Sequence, residues 1–289
     1  MKVLITGAGG QVGKALLASV PPQVEVLGLG RPELDIGNAD AVHTQVAAFR
    51  PAVIINAAAY TAVDKAESEP ELADAINAQG PRFLAQAALA IPGCRLVHIS
   101  TDYVFDGRGA GAYKTSDPTN PLSTYGRTKL AGEEAVLEVL GERAVILRTA
   151  WVYAAEGKNF LLTMLRLMRE RGAVRVVADQ SGTPTTADSI AGALWALAYK
   201  PDTRRILHWT DAGKATWYDF AVAIAEEGHA AGLLPKSVQV TPITTADYPT
   251  PAHRPGNSVL DWSESVAQLG LTPTPWRDNL RATLAKIGK

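Results

Sequence analysis

The sequence predicts an α/β protein: a doubly wound parallel sheet followed by a smaller C-terminal α/β unit. Three observations predict it. Over the first hundred residues, short apolar runs alternate with segments of helical period, the pattern of parallel strands and their crossover helices. A glycine cluster, Gly7-Ala8-Gly9-Gly10-Gln11-Val12-Gly13, lies between the first apolar run and the first helix. A later run ends in Ser100-Thr101-Asp102, and a helix then opens with Tyr125-Gly126-Arg127-Thr128-Lys129.

Val3, Leu4 and Ile5 form the first strand, and Lys14 to Leu17 lie in the first helix. Between them GxxGxxG lets the backbone turn tightly and approach a pyrophosphate, which meets free N–H groups at the helix N-terminus. Gly7, Gly10 and Gly13, with Gln11 and Val12, are therefore candidate dinucleotide contacts. The second strand, Val24 to Leu29, runs into Gly30-Arg31. An acid there would hold a ribose 2'-hydroxyl, whereas arginine suits a 2'-phosphate. Arg31 thus either favours NADPH over NADH or is an ordinary loop charge; Asp35 and Ile36 lie nearer an adenine.

A helix over Ala39 to Phe49 leads to the third strand, Val53 to Asn56, which ends in Ala57-Ala58-Ala59-Tyr60-Thr61. Small side chains at a strand's carboxyl end let a flat cofactor lie on the backbone. One long helix is expected over residues 69–90, then the strand containing Val97 and Ile99. Thr101 and Asp102 follow at its carboxyl end, where open α/β sheets bind ligands. Tyr125 and Lys129, four apart, share one helix face. A free phenol has a pKa of about 10, and an ammonium beside it stabilises the phenolate. The pair is either a proton carrier or amphipathic decoration.

Ala144 to Leu147 is a further strand, and Trp151 beyond it either walls a pocket or fills core. Helices follow over Asn159 to Glu170 and Thr186 to Ala198, with strands at Val174 to Val177 and Ile206 to Trp209. Thr216 with Asp219 reads as a helix cap. Arg254, in a Pro-rich loop, either meets a diphosphate or is solvated. Trp276 to Ile287 closes the chain as a helix. The expected division is 1–150 for dinucleotide binding and 151–289 mainly for substrate, with residues 159–180 and 205–210 returning to the first part.

The 289 residues can bury a sizeable core. A net charge of -1 without a basic tract argues against nucleic acid. The lone Cys94 has no internal partner and reads as a buried thiol. No signal peptide or apolar run of about 18 residues is seen, which places the chain in the cytoplasm.

Gly7 to Gly13, Ser100 to Asp102 and Tyr125 to Lys129, in that order, resemble the extended short-chain dehydrogenase/reductase family, which has a Rossmann fold. The phrases GAGGQVG, INAAAYTAVDKAESEPE, STDYVFDG, YGRTKLAGE, RTAWVY and PTPAHRPGNSVLD are similar to the dTDP-4-dehydrorhamnose reductase family within it, from Met1 to about Ala267. The resemblance implies that NAD(P)H delivers hydride to the C4 ketone of dTDP-4-dehydro-L-rhamnose, completing dTDP-L-rhamnose for cell-wall polysaccharide. It makes Tyr125 the proton donor, and Lys129 the residue that binds the nicotinamide ribose and lowers the phenol's pKa. Thr101, catalytic in place of the usual serine, hydrogen-bonds the sugar with Asp102, and Trp151 lines its pocket. Gly7, Gly10 to Gly13, Asp35, Ile36, Ala57, Ala59 to Thr61 and Ile99 match cofactor contacts.

Two positions depart from the pattern. Some members hold magnesium at a dimer interface through glutamates, one of them two residues beyond the last glycine; that position is Ala15 here, so the metal does not carry over and the chain is read as monomer or homodimer. Gly30-Arg31 stands where an acid is common. Alternative readings on the same scaffold are a nucleotide-sugar epimerase or dehydratase, and a non-catalytic NADP-binding regulatory subunit like that of methionine adenosyltransferase.

Overall fold

The structure is a computed structural model that describes residues 1–234 and 238–287. The first part alternates β1 (Lys2–Thr6), α1 (Gln11–Ala18), β2 (Glu25–Leu29), α2 (Ala39–Phe49), β3 (Val53–Asn56), α3 (Val63–Ala66), α4 (Pro70–Asp74), α5 (Gly80–Leu89), β4 (Arg95–Thr101), α6 (Thr124–Leu140) and β5 (Ala144–Thr149). The second comprises β6 (Val152–Tyr153), α7 (Phe160–Arg171), β7 (Ala173–Val177), β8 (Ser181–Gly182), β9 (Thr185–Thr186), α8 (Ala187–Tyr199), β10 (Ile206–His208), β11 (Ala215–Thr216), α9 (Trp217–Ala230), β12 (Gln239–Ile243), α10 (Ser263–Leu269) and α11 (Trp276–Ile287).

Among the described residues, six strands pair in the order β10-β5-β4-β3-β1-β2, all parallel. Alternate residues of each strand point to opposite faces, so the central strands feed two cores. Val3, Ile5, Ile55, Val97 and Leu147 pack with α1 and α8; Leu4, Ile54, Leu96 and Ile146 pack with α2, α5 and α6. The strand order reverses between β1 and β3, the point at whose carboxyl edge such sheets open a crevice.

A third core joins α7, β7, α9, β12 and α11 beyond that edge. Residues 159–180 therefore do not return to the large sheet as expected: β7 pairs with β12 in a separate two-stranded sheet, and α7 packs beside α9. It is α8 that comes back to cover the sheet, while β10 adds its edge strand. Alternation of strand and helix cannot say which of two sheets a strand will join. The capping pair is present, Thr216 and Asp219 closing a reciprocal box on α9. Cys94 is buried, its thiol pushed up to about 11 by desolvation.

The helix expected over residues 69–90 is interrupted. Ala75–Gln79 forms a π-helical turn between α4 and α5. The cause is Pro81, which has no N–H for the Asn77 carbonyl and whose ring crowds it. That carbonyl is left facing α6, where Gly132 passes so close that an added Cβ would lie 2.1 Å from it. No helix of the described residues is long and apolar enough to cross a membrane.

Candidate functional site

Two adjoining clefts of about 860 and 570 Å3 follow the carboxyl edge of the sheet, sharing Gly9, Gly10, Ala57 to Ala59 and Thr61. The first is floored by the glycine loop and walled by Arg31, Asp35, Ile36 and Tyr60. Gly7 has φ +70°, and a Cβ there would lie 2.5 Å from the Ala58 nitrogen; one on Gly13 would lie 2.2 Å from the Gly7 carbonyl. Only glycine fits either position. The loop can therefore bring its backbone against a flat phosphate-bearing ligand, at the N-terminus of α1.

Gly30-Arg31 follows β2 as expected from the sequence, and an acid, Glu33, lies further along the same loop. Glu33 folds back so that the Gly30 N–H donates to its carboxylate at 2.9 Å. It lines the same cleft as Arg31, so a cation and an anion both border it.

The second cleft gathers Gln11, Val12, Ile99, Thr101, Asp102, Tyr125, Lys129 and Trp151. Ser123 caps α6, accepting from the Gly126 N–H at 3.1 Å. The Glu67 carboxylate accepts from the Thr124 N–H at 2.7 Å and its hydroxyl at 2.9 Å, an anion placed at the positive end of the helix. These contacts fix the turn bearing Tyr125. Lys129 is 2% exposed and donates to the Ile99 carbonyl at 2.7 Å.

Burial dominates the electrostatics. It pushes the Tyr125 phenol up to about 12, against a contact with the Thr101 hydroxyl. The protein's own groups thus do not lower it, as the YxxxK spacing led one to expect: Lys129 is turned to Ile99, and desolvation outweighs the rest. Burial likewise takes Lys129 down to about 8, with Glu133 opposing. Asp102 rises to about 6, held back by the hydroxyls of Ser258 and Thr101. Thr101 Oγ1 donates to Asp102 Oδ1 at 2.9 Å. A phenol that keeps its proton at neutral pH, facing a cleft, is equipped to give that proton to an oxyanion formed there.

Trp151 lies in the left-handed region at φ +48° and stacks on Trp217, ring centroids 3.5 Å apart and planes 6° apart. A flat indole wall results, roofed over Gly182, where a Cβ would come within 2.5 Å of the ring. Arg254 does not line either cleft. Its guanidinium donates to Asp64 at 2.7 and 3.0 Å, an ion pair holding the Pro-rich loop against α3. Ala15 is buried in the core between α1 and the sheet. Among the described residues no three His, Cys, Asp or Glu side chains cluster as a metal site.

Two contributors escaped the sequence reading. Asn77, in the π-turn, accepts from the Tyr60 N–H at 2.8 Å, and its amide donates to the Tyr60 carbonyl at 3.0 Å and Thr128 Oγ1 at 3.2 Å. It ties the loop walling the first cleft to the helix bearing Tyr125. His98 sits wholly buried beside Lys129. The available signals were a lone Asn in an alanine-rich helix and a lone His in an apolar strand.

A family model described as the RmlD substrate binding domain matches residues 1–288. The dTDP-4-dehydrorhamnose reductase of Aggregatibacter actinomycetemcomitans is 44% identical over 287 residues, covering 97% of each chain. The crystal structure of a dTDP-4-dehydrorhamnose reductase from Clostridium acetobutylicum has a TM-score of 0.93 and 40% identity over 100% of both chains. One from Bacillus anthracis, in complex with NADP, has a TM-score of 0.91 and 36% identity over 99% of both.

Proposed function

Because the chain belongs to the dTDP-4-dehydrorhamnose reductase family, we propose that it reduces the C4 ketone of dTDP-4-dehydro-L-rhamnose with NADPH, in the cytoplasm. The observation that carries this reading is the Tyr125 phenol lining, with Thr101 and Lys129, a cleft continuous with the glycine cradle.

When bound, the dihydronicotinamide supplies the hydride. The chain's residues do the rest. The loop from Gly7 to Gly13 holds the diphosphate against backbone N–H groups, and Ala57 to Ala59 leave room for a flat ring. Thr101 and Asp102 orient the sugar, with Trp151 against its apolar face. Tyr125 gives its proton to the oxygen at C4 as negative charge develops. Lys129 holds the ribose and, as the ammonium, steadies the phenolate left behind.

Loss of absorbance at the NADPH band, with the nucleotide sugar generated in place, tests the reading. Stoichiometric NADPH consumption is expected; an epimerase or dehydratase would recycle its nicotinamide and consume none. Cofactor choice is tested at Arg31. Arg31→Ala should weaken NADPH by about tenfold, the loss of one charge-assisted hydrogen bond, and leave NADH nearly unchanged because Glu33 remains. Equal weakening of both cofactors in a titration would show that Arg31 does not touch the 2'-phosphate.

A further inference from the structure

Beneath the cleft a row of buried polar groups crosses the sheet from β1 to α6. Thr6 Oγ1 donates to Asn56 Oδ1 at 2.6 Å; Asn56 Nδ2 lies 2.8 Å from His98 Nδ1; His98 Nε2 lies 3.3 Å from Lys129 Nζ. Strand register puts Thr6 beside Asn56 and Asn56 beside His98.

Only one arrangement of protons satisfies this row. The Ala58 N–H donates to Asn56 at 3.1 Å and requires an oxygen there, so the other arm of the carboxamide is the NH2. That NH2 can only donate, which makes His98 Nδ1 an acceptor. Burial, reinforced by Lys129, takes the imidazole well below its ordinary pKa, so it is neutral. Its one hydrogen is therefore on Nε2, facing the lysine nitrogen.

We infer that Thr6, Asn56 and His98 form a positioning device for Lys129: by locking the imidazole as its Nε2–H tautomer, they present a donor to the lysine and favour its uncharged amine before ligands bind. The inference rests on the role assigned to Lys129 under the proposed function. The other groups facing Lys129 are few. From β4 come His98 and the Ile99 carbonyl; on its own helix are the protonated Tyr125 and Glu133, the latter committed to Arg148 of β5. Catalysis needs the ammonium, so kcat/KM should fall as pH rises through the lysine's lowered pKa, about 8.

Asn56→Asp inverts the row. A carboxylate cannot donate, so His98 turns its proton to Nδ1 and offers the Nε2 lone pair to a lysine ammonium. The alkaline limb of kcat/KM should move up by about one pH unit or more, and His98→Met, which lacks the N–H, should move it the same way. Nitrogen-15 NMR of histidine-labelled wild-type protein should read Nε2–H for His98, and Nδ1–H in Asn56→Asp. A wild-type Nδ1–H or imidazolium signal overturns the proposal, as does a limb unmoved in both variants; the wild-type spectrum decides even if neither variant folds. Wild-type enzyme that consumes no NADPH would instead refute the proposed function and leave the tautomer result standing.

Discussion

Tyr125→Phe should bind NADPH much as the parent does and turn over the nucleotide sugar slower by a factor of about 10^2 to 10^4, the usual range for loss of a general acid. The ring is kept, so its edge-on packing on Tyr103 and its place at the start of α6 remain. What disappears is the phenolic proton that Tyr125 presents to the second cleft. The fall should appear equally in kcat and kcat/KM, because the lost interaction forms only as charge develops on the sugar oxygen. A drop confined to KM would mean that Tyr125 binds substrate and that another group supplies the proton.

Arg148→Met should destabilise the fold by about 3 to 5 kcal/mol, the range for stripping one partner from a buried ion pair. Arg148 and Glu133 are 3% and 2% exposed and meet at 2.7 Å, with a second nitrogen donating at 3.0 Å. They bolt α6 to β5. With the guanidinium gone, Glu133 keeps a buried charge that Lys129, already turned to the Ile99 carbonyl, is poorly placed to neutralise. Denaturant unfolding of Arg148→Met and of Arg148→Met with Glu133→Leu separates the causes. The double variant should regain most of the loss, since apolar replacement of both partners is often neutral. A single variant within about 1 kcal/mol of the parent would mean that water reaches the pair.

The parts legible in the sequence are those decided locally. A glycine loop between a strand and a helix, small residues after β3, and a Tyr and Lys four apart each carry their geometry in spacing alone. What escaped depends on contacts across the chain. Glu33 caps a backbone N–H three residues back, so the loop after β2 turns a carboxylate toward the cleft that Gly30-Arg31 alone did not announce. The strand at 173–177 reads the same whichever sheet receives it. The phenol shows the limit most clearly: spacing put an ammonium one turn away and implied a lowered pKa, yet how deeply both groups are buried decides the sign, and depth is a property of the packed whole. Pro81 was a visible interruption in the helix expected over residues 69–90; its consequence, a π-turn carrying Asn77, emerges only when α6 is laid against it.

That turn bears on how the enzyme can be altered. One carboxamide serves both backbone groups of Tyr60 and also reaches Thr128, so the loop walling the first cleft and the helix bearing Tyr125 form a single mechanical part. Under the proposed function, the alignment of that loop with Tyr125 is built in as the chain folds. For engineering, the loop at 57–61, the turn at 75–79 and the first turns of α6 make one graftable cassette: transplanted together between related reductases they should carry their alignment with them, and exchanged singly they should lose it.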